Sequence, residues 1–97
     1  MNQHQELDRA ADLLKVIAHP IRMKIILLLD HYGPLSLSSL GGHLQIDPSL
    51  TSHNLTKMKD KGLLTSQRQG KEVYYTLADP TPVQVVRLLL GLTSQDP

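Results

Sequence analysis

Residues 47–77 read DPSLTSHNLTKMKDKGLLTSQRQGKEVYYTL, and their pattern decides the fold. Asp47 before Pro48 is a helix opening: a side-chain oxygen to accept from the first free amides, then a residue whose missing N–H costs nothing in the first turn. The spacing predicts a helix over 47–61. At 100° per residue, Thr51, Leu55 and Met58 fall within about 60° of one another, as an inward stripe. Ser49, Ser52, His53, Thr56 and Asp60 fall on the opposite side, and Gly62 after Lys61 is the stop. Residues 64–69 and 72–77 then form a hairpin turning at Gly70-Lys71, with Val73, Tyr75 and Leu77 alternating on one face. A helix whose outward face is Ser, His, Thr and Lys, followed by a small basic β-ribbon, suits the groove of double-stranded DNA.

Outward from this stretch the chain is helical. Leu7, Ala10, Ala11, Leu14, Ile17 and Ala18 recur at helical spacing, predicting an amphipathic helix over 5–18 with few core-sized side chains. His19 is a candidate cap, Pro20 suits a first helical position, and a second helix runs to about Asp30. Its apolar residues lie nearly all round it, so it is expected to be the central buried helix. Tyr32-Gly33-Pro34 is a break. Ser36 is a candidate cap for a short helix burying Leu37, Leu40 and Leu44, in which Gly41 and Gly42 are expected to permit close approach to the next helix. After a second break at residues 79–82, a last helix over about 81–92 carries Val83, Val86, Leu89 and Leu90, with Val85, Leu88 and Leu92 beside them. So much apolar surface on a terminal helix needs a cover, and a second subunit is the simplest one.

Ninety-seven residues make one domain, 1–97, of a size that often gains stability by oligomerising. With no Phe, Trp or Cys, the core must be aliphatic, and disulfides, thiolate metal sites and thiol redox switches are excluded. The absence of Cys fits a reducing cytoplasm. The longest largely apolar stretches, 25–29 and 85–90 (the latter broken by Arg87), are far short of the ~20 residues a membrane span needs, and the opening MNQHQELD is unlike a targeting peptide. Net charge is only +1, but its distribution is uneven: residues 49–77 carry +3, while 1–48 and 78–97 carry −1 each. Positive charge therefore sits where a nucleic-acid reader needs it; the same pattern also describes a solvated helix face.

The segments LLKVIAHPIRMKIILLL (13–29), TSHNLTKMKDKGLL (51–64) and GKEVYYTL (70–77) together resemble the ArsR-type family of bacterial regulators, over about residues 5–92. The resemblance implies a winged helix-turn-helix protein, mainly α with a small β-hairpin, in the order α-α-α-α-β-β-α. It implies a homodimeric repressor of transcription whose terminal helices, about 5–18 and 81–92, form the dimer interface and whose fourth helix enters the major groove. The family's base- and phosphate-facing positions fall on Ser49, Ser52 and His53. Its common Gln is Pro48 here, so a bidentate adenine reader is missing. Where soft-metal sensors of the family carry two Cys, this chain has Ser36 and Ser38. Zinc-type ligands on the last helix are not matched either, because no His follows His53. The expectation is therefore no cofactor and no resident metal, with the inducer left open.

The candidate DNA-binding residues are Ser49, Ser52, His53, Asn54, Thr56 and Lys57 on the helix, and Arg68, Gln69 and Lys71 on the wing. The short polar side chains suit base edges and phosphate oxygens, and the wing suits backbone or minor groove. Arg22 and Lys24 are candidates for phosphate, Arg22 alternatively for pairing with an acid inside the fold. His4, His31 and His43 show no ligand spacing among themselves; a zinc site built from them across a dimer is the alternative to plain surface histidines. Catalysis has no support: Ser52 and His53 diverge by about 100° on a helix, and no paired carboxylates or glycine-rich phosphate loop occur. The partners expected are a double-stranded DNA operator and a second copy of the chain, with no membrane. The rival reading is a winged-helix protein-interaction module without specific DNA binding.

Overall fold

The computed structural model describes residues 2–93. Its elements run α1 (Gln3–Ile17), α2 (Pro20–Tyr32), β1 (Leu35–Ser36), α3 (Leu37–Leu44), α4 (Pro48–Asp60), β2 (Leu64–Gln69), β3 (Glu72–Leu77) and α5 (Thr81–Thr93). The predicted helices and hairpin are all present, the hairpin with the expected strand bounds. One element is additional. Leu35 and Ser36 pair antiparallel with Tyr75 and Tyr74, making a three-stranded sheet in the order β1-β3-β2. Two residues are too few to show a period of two, so only the partner strand defines this one.

Local chemistry sets most helix ends. The Ser36 hydroxyl accepts from Ser39 N at 3.1 Å, and Asp47 Oδ1 accepts from Leu50 N at 2.7 Å, as side-chain caps should. His19 departs from expectation: it stands at the N-cap position of α2, but its side chain makes no capping bond. The α4 C-terminus closes as a Schellman motif, with Leu63 N donating to Met58 O (3.0 Å) and Gly62 N to Lys59 O (2.9 Å). Gly62 sits at φ +79°, the left-handed region that a side chain would disfavour. At the start of α5, Thr81 N donates to Asp79 Oδ1 at 2.8 Å, and bonding to Thr81 holds that carboxyl below the usual Asp range.

The core is aliphatic, as the composition demands. Ile25 and Ile26 of α2, Leu40 of α3, Leu55 and Met58 of α4 and Val86 of α5 are fully buried, with Val16, Ile17, Leu29, Leu63, Leu64 and Val83 around them. α2 packs against α1, α3, α4, α5 and β3, which makes it the central helix that its composition predicted. A Cβ on Gly41 would stand 3.2 Å from Thr51 Oγ1, so α3 and α4 do approach closely there. Gly42 does not share that role; nothing lies within 4 Å of its added Cβ.

The molecule is flat, 44 × 43 × 21 Å, with a radius of gyration of 14.3 Å. A compact chain of this length would have about 12.5 Å. α1 is the reason: only Val16 and Ile17 at its C-terminal end are buried, and the rest of the helix stands clear of the core.

Candidate nucleic-acid interface

α3, the Gln45–Asp47 turn and α4 form a helix-turn-helix, with Gln45 in the left-handed conformation (φ 58°, ψ 43°) at the corner. Thr51, Leu55 and Met58 are fully buried and anchor α4 by the predicted stripe. Thr51 Oγ1 is satisfied by donating to Asp47 O at 2.8 Å. The opposite face is open: Ser49, His53, Thr56, Lys57, Lys59 and Asp60 are exposed, and Ser52 is partly so.

Asn54 must be removed from the predicted contact set. It is 6 % exposed and both ends of its amide are used inside the fold. Its Nδ2 donates to Leu50 O (2.9 Å), and its Oδ1 accepts from Arg22 Nε (2.9 Å). By helical spacing Asn54 lies about 60° from Thr51, on the margin of the inward stripe, and a polar residue there is inward only if a polar partner meets it. That partner comes from 32 residues away in α2. Arg22 is thereby placed as well: it is half-buried, bonded to Asn54 and to Val16 O (3.2 Å), rather than held by an acid or set out toward phosphate. Lys24 is exposed.

The wing sorts its candidates by face. In a strand, alternate residues share a side, so Arg68 lies with Ser66 and Leu64, opposite Val73, Tyr75 and Leu77 of β3. Tyr75 and Leu77 on this side pack on the core, while Val73 is farther out. Gln69 belongs to the other side, with Thr65, Gln67, Tyr74 and Thr76, around a polar hollow of about 240 Å³. Lys71 is exposed at the turn beside Gly70, whose φ of +65° suits a tight two-residue connection.

Lys59 is the residue that sequence reasoning passed over. Its Nζ donates to Ser66 Oγ at 2.6 Å, tying the last turn of α4 to β2. The exposed face of α4 and the Arg68 side of the wing are thus joined through one cation. The only sequence signal was its place in the +3 segment; the bond to Ser66 depends on the hairpin folding back.

The three histidines weighed for a zinc site, His4, His31 and His43, fall in two places. His4 Nε2 is 3.8 Å from Asp8 along α1, and His31 and His43 flank the Tyr32 ring at centroid distances of 4.5 and 5.0 Å. Among the described residues no group of three or more His, Cys, Asp or Glu is arranged to hold a metal ion. Ser36 and Ser38 differ in setting: the Ser36 hydroxyl is spent on the α3 cap, and Ser38 is exposed.

Comparison with known proteins agrees with this architecture. The MarR family profile matches residues 20–71. The transcriptional repressor PagR of Bacillus anthracis is 34% identical over 87 residues, which are 90% of this chain and 87% of PagR. Its crystal structure superposes with a TM-score of 0.79, covering 90% of this chain and 99% of that one. The transcriptional regulator YgaV of Escherichia coli is 30% identical, over 84% of this chain and 83% of its own length. The arsenical resistance operon repressor of the same bacterium is 31% identical, over 79% of this chain and 66% of its own length.

Proposed function

The chain belongs to the ArsR/MarR-like family of winged-helix transcriptional regulators, and from that premise we propose that it is a repressor reading double-stranded DNA with α4 and the β2–β3 wing. It is a regulator and not an enzyme. One observation carries the reading: the exposed face of Ser49, Ser52, His53, Thr56 and Lys57 is continuous, through the Lys59–Ser66 bond, with Arg68 on the wing. Short polar donors on the helix suit base edges in the major groove, and the cations suit the phosphates beside it. Gln69 and Lys71 at the tip of the wing are assigned to the DNA backbone or the adjacent minor groove, for which their polar and cationic side chains are suited.

The working form is a homodimer closed by α1 and α5. Leu7, Leu13 and Leu14 on α1 and Leu88, Leu89, Leu90 and Leu92 on α5 are exposed. Between the two helices lies a hollow of about 500 Å³ lined by Leu13, Leu14, Ile17, Leu63, Pro82 and Val85, among others. An apolar surface of this extent is covered in a stable protein. A second copy supplies matching terminal helices, and with two-fold symmetry it sets two α4 helices ~34–36 Å apart, one helical turn of DNA. Release from DNA is assigned to a signal other than a thiolate-held metal or a thiol oxidant, because the chain has no Cys. The interaction-module alternative is not favoured, since the relatives are named repressors and regulators.

Footprinting and gel shift at moderate salt test the reading. The expected result is a protected, near-palindromic site and a discrete band that excess unlabelled site removes and unrelated DNA does not. Weak, salt-sensitive binding to every sequence, with no protected site, would refute it. Described residues contain no helix long and apolar enough to cross a membrane.

A further inference from the structure

Leu50 is an exposed aliphatic side chain that the dimer surfaces do not explain. Among the described residues the other large exposed apolar side chains lie on α1 and α5, apart from Tyr32, whereas Leu50 is 40% exposed in the first turn of α4. It shares a stripe with His53 and Lys57, within about 60° at helical spacing. Its backbone is held on both sides: its N–H donates to Asp47 Oδ1 at 2.7 Å, and its carbonyl accepts from Asn54 Nδ2 at 2.9 Å. Asn54 is in turn held by Arg22. The side chain is therefore presented from a fixed point, next to the candidate readers.

We propose that Leu50 is a specificity residue that reads the C5-methyl group of a thymine in each half-site. The inference rests on the assignment of α4 as the DNA-reading helix. The first turns of a recognition helix are the part that reaches base edges. Leu50 carries no donor or acceptor, and the thymine methyl is the apolar feature of the major-groove edge. Against any other base a leucine would cover hydrogen-bonding groups without replacing their water. Leu50 is thus an apolar contact beside polar readers: Ser49 precedes it and His53 shares its stripe, both exposed.

The test selects bound duplexes from a random pool with the full chain, then replaces each enriched thymine by uracil, which lacks only the methyl group. Wild-type protein should lose roughly fourfold in affinity at one position per half-site, the worth of one buried methyl. Leu50→Ala should bind the thymine and uracil duplexes equally, with its thermal midpoint at or above the parent's, as Ala at an exposed helix site permits. Two results overturn the inference alone: uracil tolerated at every enriched thymine, or undiminished uracil sensitivity in Leu50→Ala. A pool that yields no enriched sequence overturns the DNA-reading assignment, and this inference with it.

Discussion

At the residue scale, His53 and Arg22 show two ways of serving the same helix. His53 is exposed at the centre of the outward face of α4, and the side-chain bonds that anchor the helix run through Asp47, Thr51 and Asn54 instead. His53→Ala should therefore cost ~1–3 kcal/mol in affinity for the selected site and leave the unfolding midpoint unchanged; equal affinity and an unchanged footprint would contradict the assignment of the face. Arg22 works from inside. It joins the end of α1, through Val16 O, to Asn54 of α4. Removing it leaves a buried amide oxygen without a donor, so Arg22→Ala should destabilise the fold by about 1–3 kcal/mol in denaturant titration. Asn54→Asp, which keeps an acceptor for Arg22 but loses the donor to Leu50 O, should be milder than Asn54→Leu. The helical spacing of the sequence already placed His53 outward. Asn54 could not be placed that way, because its direction depends on a guanidinium 32 residues distant.

At the element scale, the two adjacent glycines of α3 separate local from tertiary demands. Both weaken a helix by roughly 1 kcal/mol relative to Ala, and from sequence alone they are equivalent. In the fold Gly42 faces open space, while a Cβ at Gly41 meets Thr51 Oγ1 at 3.2 Å, a group already engaged with Asp47 O. Gly42→Ala should raise stability by about 0.5–1 kcal/mol, and Gly41→Ala should gain less or lose. Chemical denaturation of the two variants side by side checks this; equal gains would mean that α3 and α4 have slack between them. β1 illustrates the same division. Its two residues carry no periodicity, and their pairing with Tyr74 and Tyr75 is created by β3.

At the scale of the whole molecule, shape and exposed surface agree. A radius of gyration of 14.3 Å and an α1 that buries only its last two residues describe a chain with one side left for a partner. Leu14→Glu combined with Leu88→Glu should shift the protein toward monomer in sedimentation equilibrium. Site affinity should fall steeply in the same variant, because a single α4 reads only half of a two-fold site. A variant that remains dimeric would move the interface away from these helices. Arg87 Nη2, bonded to Asp30 Oδ2 at 2.7 Å, ties α5 to α2 within the chain, so the loss is expected in assembly before it is felt in the fold.

What the sequence determined by itself is what neighbours along the chain decide. Helix caps at Ser36 and Asp47, the stop at Gly62, the turn at Gly70-Lys71 and the two faces of α4 all depend on groups within a few residues of each other. Hence the stretch 47–77 was legible as a polar helix and a basic ribbon. The tertiary structure alone decided that Asn54 turns inward to Arg22, that Lys59 reaches Ser66, that Leu35 and Ser36 pair with β3, and that α1 stands free. Each of these depends on which distant atoms arrive within hydrogen-bonding or packing distance. A local pattern holds no record of that, because the interactions form only when the elements have already been brought together.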